Sequence, residues 1–266
     1  MVDMGPSAMA LPSFAQPPVV EVAMGVEFLP LPALTVVPLV DVARTWANDY
    51  PIVQEQPALP PTGGPFGPAG FNFEVSAGVP PIRLWLLNRA NTELIQIQGD
   101  RFILNWRRIS DSESYPRYRY LAPRFDSHWL RFAEQVEAFG LGPLQPITAE
   151  VSFVNAFYLE PDETLFDVLT ILSDQFQMKA AEPSIELVMK LDGKNQDDAV
   201  GEQRISVSRT PGEINRVSMT LITRVTVINE DANPIQEALG RAHAIGVTSF
   251  AQLTTPKMHR RWEIKL

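Results

Sequence analysis

The chain contains no cysteine. That absence excludes disulfides, thiolate catalysis, zinc fingers and cysteine-held clusters, and it suits a reducing compartment. Histidine is almost as scarce, with only His128, His243 and His259 in 266 residues. None of them stands in the His-Glu-x-x-His spacing that sets two ligands on one helical face, so no metal site is expected. Basic charge is short as well: 22 Lys and Arg against 31 Asp and Glu leave a net charge of -9. The whole-molecule field therefore does not draw in nucleic acid or anionic lipid. No apolar run reaches the roughly eighteen residues of a membrane span. The opening "MVDMGPSAMALPSFAQPPVV" has an early acid and no basic region, so it does not read as a signal peptide. A soluble, cytoplasmic protein with no membrane partner is the expectation. Nucleotide chemistry lacks its signs too. The glycines of "PTGGPFGPAG" are interleaved with prolines, which carry no amide for a phosphate, and no Gly-Lys-Ser/Thr closes the loop. Neither a Gly-x-Gly-x-x-Gly nor a nucleophile elbow is present, and no cofactor is expected.

Apolar residues make up 45% of the chain, enough to bury one large core or two of ordinary size. Residues 1–16, rich in Pro, Ala, Met and Ser, read as a flexible lead-in. Val20, Val22, Met24, Val26 and Phe28 then alternate with Glu21, Ala23, Gly25 and Glu27, the period of a strand with one face buried. Val36, Leu39, Val40, Ala43, Trp46, Ala47 and Tyr50 fall at helical spacing. The Pro/Gly stretch of residues 57–70 reads as a loop. Strands follow in "FNFEVSAG", "PIRLWLLNR" with "ELIQIQG", and "RFILNWRRI", with a tight hairpin turn at Gly99 and Asp100. In them Gln96 and Gln98 alternate with Ile95 and Ile97, and Phe102, Leu104 and Trp106 oppose Arg101, Ile103, Asn105 and Arg107. A helix is expected from about His128 to Phe139, capped by Asp126 or Ser127 and ended by Gly140.

Beyond Pro143 and Pro146 the order returns. "ITAEVSFVNAFYL" reads as a strand and "ETLFDVLTILSDQF" as a helix with Leu165, Val168, Leu169, Leu172 and Phe176 inward. Strands come next in "SIELVMKLDG", "GEQRISVSR" and "RVSMTLITRVTVI". A last long helix begins at Pro234, with Asn233 as its cap and Gln236 completing a reciprocal box. The tail "KMHRRWEIKL" reads as a closing strand, with Trp262, Ile264 and Leu266 alternating. Hairpins with few crossovers argue against a doubly wound sheet. They point to an α+β fold of two similar β-α-β-β-β-α halves, residues 17–142 and 143–266, each laying helices on one face of a mainly antiparallel curved sheet. That form resembles TATA-binding-protein-like or helix-grip architectures, a likeness that carries no function.

The phrases "PPVVEVAMGVEF", "LIQIQGDRFILNWRR" with "YPRY", "VSFVNAFYL", "ALGRAHAIGVTSFAQLTT" and "HRRWEI" together resemble a sporadically distributed family of uncharacterised bacterial proteins. They run from Pro17 to Trp262, so the likeness is global. It implies a bacterial protein and transfers no chemistry, cofactor, substrate or catalytic residue to any position.

Candidates for chemistry are few. His243, on the border of an apolar helical stripe, is the one histidine singled out for catalysis, against the plainer reading of a hydrogen-bonded structural ring. Glu21, Glu27 and Glu150 lie on strands, where an exposed sheet face accounts for them. Asp197 and Asp198 sit in what reads as a solvated hairpin loop. Between Arg101 and Arg131 stand seven arginines against Asp111, Glu113 and Asp126, a basic island in an acidic chain. Arginines beside tyrosines can hold phosphate while the rings stack on bases; they can equally cover apolar rings, pair with acids or dock a protein. The candidate interaction surface is Arg107, Arg108, Tyr115, Arg117, Tyr118 and Arg119, with Arg260 and Arg261 in the basic tail. These observations lead to a binding protein without enzymatic activity, whose partner is a protein or a small ligand held in the groove between the halves. The alternatives are an enzyme with a site near His243 and an RNA- or DNA-associated module that uses the patch Arg101–Arg124. An open antiparallel sheet also leaves an edge on which a homodimer can form.

Overall fold

A computed structural model describes residues 11–60, 81–110, 112–172, 184–193, 200–210, 212–213 and 215–265. The expected strand at residues 71–78, most of the Pro/Gly loop, Asp111, Phe176, Asp197, Asp198 and Leu266 lie outside these residues. The chain runs β1 (Ser13–Phe14), β2 (Val19–Phe28), α1 (Val36–Ala43), a single 3-10 turn (Arg44–Trp46), β3 (Ile52–Pro57), β4 (Ile82–Leu87), β5 (Glu93–Gln98), β6 (Arg101–Arg107) and α2 (Tyr118–Ala138). It continues β7 (Pro146–Tyr158), α3 (Leu165–Val168), β8 (Ile185–Asp192), β9 (Val200–Arg209), β10 (Arg216–Thr226), α4 (Pro234–Leu253), α5 (Pro256–Arg261) and β11 (Ile264–Lys265). Helices stand beside a large antiparallel sheet, so the fold class is α+β. Two compact units make up the chain: Ala23–Thr148, here the first unit, and Ala149–Leu266 with the stretch Met1–Val22, the second. The expected divide after residue 142 lies close to the one after Thr148, while the stretch up to Val22 belongs with the later residues.

In the first unit the strands are ordered β3-β4-β5-β6-β2. The β3–β4, β4–β5 and β5–β6 pairings are antiparallel. β5 and β6 meet in a two-residue turn that closes the pair Gln98 and Arg101. Neither Gly99 nor Asp100 takes a positive φ. The primed turn such a hairpin favours is not needed here, because Phe28 N donates to Asp100 O and Leu31 N to Gly99 O, at 2.9 Å each, and hold the turn from outside. The core is aromatic: Phe28, Trp46, Phe102, Phe125 and Phe132 are all buried, with Phe102 stacked on Phe132 at 5.2 Å. Each such ring withdraws enough apolar surface to contribute about 2–3 kcal/mol.

Three expectations change here. No strand is expected between the first helix and the loop from Pro57, yet Ile52 through Pro57 pair along β4 despite the flanking proline Pro51. α2 begins at Tyr118, ten residues early, and carries Pro123 inside it. Pro123 lies just past the first turn, so it removes only the one amide that would donate to Arg119 O, and the helix runs on through it. Asp126 and Ser127 are therefore mid-helix. The residue before the helix is Arg117, at φ 76° and ψ 150° and without a side-chain cap. Gly140 ends the helix as expected, at φ 62°, while Phe139 is half exposed and outside the stripe.

In the second unit the order is β7-β10-β9-β8, with β10–β9 and β9–β8 antiparallel. α4 lies over this sheet through Ile235, Ala238, Leu239, Ala242, Gly246, Phe250 and Leu253. The approach is close, since a Cβ on Gly246 would sit 3.1 Å from the Phe153 ring. Asn233 precedes Pro234 as expected, but its side chain caps nothing; Glu237, not Gln236, receives the Asn233 amide, at 3.3 Å. The expected helix of residues 163–176 is only α3, four residues long, after which Leu169 turns extended and bridges Thr254. The expected closing strand is a helix, α5, followed by the two residues of β11, which pair with β1. That pairing overturns the flexible lead-in from Ser13 onward: Phe14 is buried, 5.2 Å from Phe250 and 6.3 Å from Trp262.

Candidate functional site

Each histidine is built into the fold. His128 lies within α2, and its Nδ1 receives the indole N–H of Trp46 at 3.0 Å. An indole nitrogen only donates, so Nδ1 is the bare nitrogen and Nε2 carries the hydrogen. Nε2 then donates to Tyr50 Oη at 3.1 Å, leaving the phenol to donate to Glu93 Oε2 at 2.8 Å. Arg124 Nη2 closes the chain on the same oxygen at 2.5 Å. Burial, and then the Arg124 charge, push the ring's pKa down to about 4. Burial and the Glu93 carboxylate push the Tyr50 phenol up, so it stays a neutral donor. Tyr50 is only 2% exposed, whereas Arg124 at the end of the relay is half exposed. The relay joins the 3-10 turn, β5 and α2, three elements far apart in sequence.

His243 packs on Phe153 with ring centroids 6.0 Å apart, and burial alone lowers its pKa to about 4. His259 Nε2 lies 2.9 Å from Ala251 O and 3.0 Å from Thr254 Oγ1. A carbonyl only accepts, so this nitrogen donates and ties α5 to the end of α4. Among the described residues no group of three His, Asp or Glu side chains could hold a metal ion. Among the described residues no helix is long and apolar enough to cross a membrane.

The basic island is largely spent within the chain. Arg101 lies 3.2 Å from Glu27, Arg124 holds Glu93, Arg131 reaches Asp49 at 4.0 Å, and Arg107 Nη2 donates to Asn91 O at 3.2 Å. Arg117 and Arg119 stand at the start of α2. There Arg117 lies over the Tyr115 ring at 5.6 Å and Arg119 over Tyr120 at 4.8 Å, while Tyr115 leans on Trp106. Burial raises the phenol pKa of both Tyr115 and Tyr118. Arg108 sits half-buried beyond the end of β6. In the second unit Arg260 is exposed, whereas Arg261 donates to buried Glu163 at 2.5 Å, with Lys257 on the same oxygen at 3.0 Å. Burial would raise the Glu163 carboxyl, but Arg261, the Glu160 amide and Lys257 outweigh it and hold the pKa at about 2. Glu27 and Glu150, read as part of an exposed sheet face, are each given to an arginine; Glu150 takes Arg224 at 2.5 Å.

A polar constellation that the alternation disguised lies on the face of the first unit's sheet opposite α1 and α2. Register sets Trp85 beside Gln96, Gln96 beside Ile103 and Leu94 beside Asn105. Phe102 and Ile97 point the other way, toward the aromatic core. Gln96 is 7% exposed, Gln98 3%, Arg101 8% and Asn105 4%, so this face is desolvated. Gln96 Oε1 accepts from Arg83 Nη1 at 2.8 Å and Trp85 Nε1 at 3.0 Å, and its Nε2 donates to Asn105 Oδ1 at 2.7 Å. Gln98 exchanges both its groups with the Leu59 backbone, at 2.9 and 3.2 Å. Arg83 stands at the rim, its guanidinium 5.4 Å over the Trp85 ring and its Nε buried with no hydrogen-bond partner. Burial and the Arg101 charge lower its pKa. None of these residues except Arg101 was marked by the sequence as functional, although amides in place of Lys and Glu at alternate positions are the sign of a polar face meant to stay dry. Comparison with family models, with characterised proteins and with solved structures gives no match for this chain.

Proposed function

We propose that this chain is a binding protein without chemistry of its own, and that the polar sheet face of the first unit takes the carboxylate or phosphate group of a small ligand at Arg83. The observation that carries the reading is Arg83 itself. It is a half-buried guanidinium beside a second guanidinium, it has an unused buried N–H, and no carboxylate among the described residues balances it. Guanidinium presents a planar fork that matches carboxylate and phosphate oxygens, and a charge-assisted bond is strongest where water is excluded. Trp85 supplies a flat wall, and the Gln96–Asn105 amides hold both side chains in place. The histidines favour binding over catalysis, since each ring is engaged in the fold.

Isothermal titration with inorganic phosphate and with citrate tests this. Saturable heat is expected from the native chain, weakened about 10- to 100-fold by Arg83→Met, as loss of a charge-assisted bond of about 1.5–3 kcal/mol requires. Arg119→Ala leaves it unchanged. An absence of heat with either anion, or binding indifferent to Arg83→Met, refutes the reading. A nucleic-acid role would instead draw on Arg119 and exposed Tyr120; a salt-sensitive gel shift lost in Arg119→Ala would favour it.

A further inference from the structure

The second unit's sheet ends at β8, eight residues without proline, whose outer edge carries no strand among the described residues. An unpaired edge is a template for another strand. The other terminal strand, β3, follows Pro51 and ends on Pro57, residues that blunt an edge because they offer no amide. β8 has no such guard, and it exposes Val188 at 50% and Met189 at 39%. Its two faces are distinct. Ile185, Leu187, Met189 and Leu191 stand on the side of Ile205 and Val207, and Ile185 and Leu187 pack against the core. Glu186, Val188, Lys190 and Asp192 stand on the other, with Lys190 opposite Glu202 across β9.

We infer that β8 is the interface of a twofold homodimer in which it pairs antiparallel with β8 of a second copy, centred on Val188. In that register Glu186 of each copy faces Lys190 of the other, Val188 faces its own symmetry mate, and Leu187 faces Met189. Opposite residues share a face, so the apolar row meets the apolar row and both sheets continue as one. Neighbouring registers fail. Centring on Met189 sets Glu186 against Asp192, a like-charge pair, and centring on Leu187 leaves Lys190 facing Ser184. A shift that centres between two residues puts every apolar side chain against a polar face. One strand thus contains its own complement, as an isologous contact requires. The chemistry fits a second copy of this chain better than an unrelated edge strand, because the attraction depends on the order acid, apolar, base read in both directions.

Sedimentation velocity over a range of concentrations tests the assignment. The native chain is expected to shift from the 29.7 kDa species to twice that mass as concentration rises. Lys190→Glu sets acid against acid at two places and returns it to monomer, whereas Glu186→Lys combined with Lys190→Glu restores the dimer, a rescue that a purely local role for either residue does not give. Because the chain has no native cysteine, Val188→Cys reports independently: mild oxidation yields a covalent dimer on a non-reducing gel, and Lys190→Glu in the same chain abolishes it. A monomer at every concentration overturns the inference. So does a dimer that ignores Lys190→Glu, or an absence of the Val188→Cys cross-link.

Discussion

Lowering the pH from about 7.5 to about 5 is expected to destabilise this protein before its carboxylates begin to protonate. His128 and His243 are each held at about 4 in the folded chain against an ordinary value of 6.5. For His128 burial is the largest cause and the Arg124 charge the next, and a proton on Nδ1 would also face the indole N–H of Trp46. The folded pKa is depressed, so the unfolded chain binds protons that the folded chain refuses as pH falls through about 6.5. Stability from these rings is complete above that value and drains away toward about 4. A gap of about 2.5 units at ~1.36 kcal/mol each sets a ceiling of ~3.4 kcal/mol per ring. Both rings are only half-buried, and solvent screening removes about half of that. What remains is ~1.5–2 kcal/mol each near pH 4, or roughly 2 kcal/mol for the pair near pH 5. Urea titrations followed by tryptophan fluorescence at a series of pH values read this directly. His128→Gln should remove about half of the decline, and His128→Gln with His243→Leu nearly all of it. A midpoint that does not move over this range, or that declines equally in the double variant, refutes the reasoning.

Two further substitutions test backbone geometry. Arg117 holds φ 76° and ψ 150°, a conformation costing an L-residue about 1–3 kcal/mol that glycine adopts freely. After the lost contact with Tyr115 and glycine's larger unfolded-state entropy, Arg117→Gly should stabilise by about 1 kcal/mol, a rise of about 2–4 °C in Tm; a lower Tm would mean that the guanidinium outweighs the strain. Gly201 meets β10 so closely that a Cβ would lie 2.0 Å from the Arg224 carbonyl oxygen. Gly201→Ala must therefore push backbone apart and lose about 1–3 kcal/mol, measured by the same melt, and an unchanged Tm would contradict the close approach of β9 and β10.

Alternation and terminal signals carried most of the fold. Met24, Val26 and Phe28 are buried as their spacing implies, and Ala238, Ala242 and Phe250 line α4 as theirs does. The errors have physical sources. Pro123 hid the first turns of α2, although Leu121 and Phe125 already extend the stripe of Phe132 and Val136 backward at intervals of four and seven. Leu169 and Leu172 continued a helical period past α3, but Thr170 N donates to Leu253 O and turns the chain away, a tertiary choice no local window contains. β1 and β11 are two residues each, too short for any period to register, and the burial of Phe14 comes from a partner strand at the opposite end of the sequence.

The candidate site was the less legible part, for a reason that bears on what it does. Period-two reasoning separates two faces of a strand but says nothing about which of them water touches. Gln96 and Gln98 therefore look like residues of a wetted face, and the basic island looks like the interesting one. Desolvation reverses both. An amide can be buried at little cost when each of its groups finds a partner, as those of Gln96 do in Arg83, Trp85 and Asn105, whereas a carboxylate or ammonium in the same place would need a counter-charge. Arg101, Arg124 and Arg131 of the island have such counter-charges in Glu27, Glu93 and Asp49, while Arg107 bonds a backbone carbonyl and Arg117 and Arg119 lie over rings. Among the described residues no acid stands beside Arg83, which sits with amides. On the proposed reading it is a guanidinium whose charge a ligand would complete, and one arginine in "PIRLWLLNR" matters more to that reading than the seven that first draw the eye.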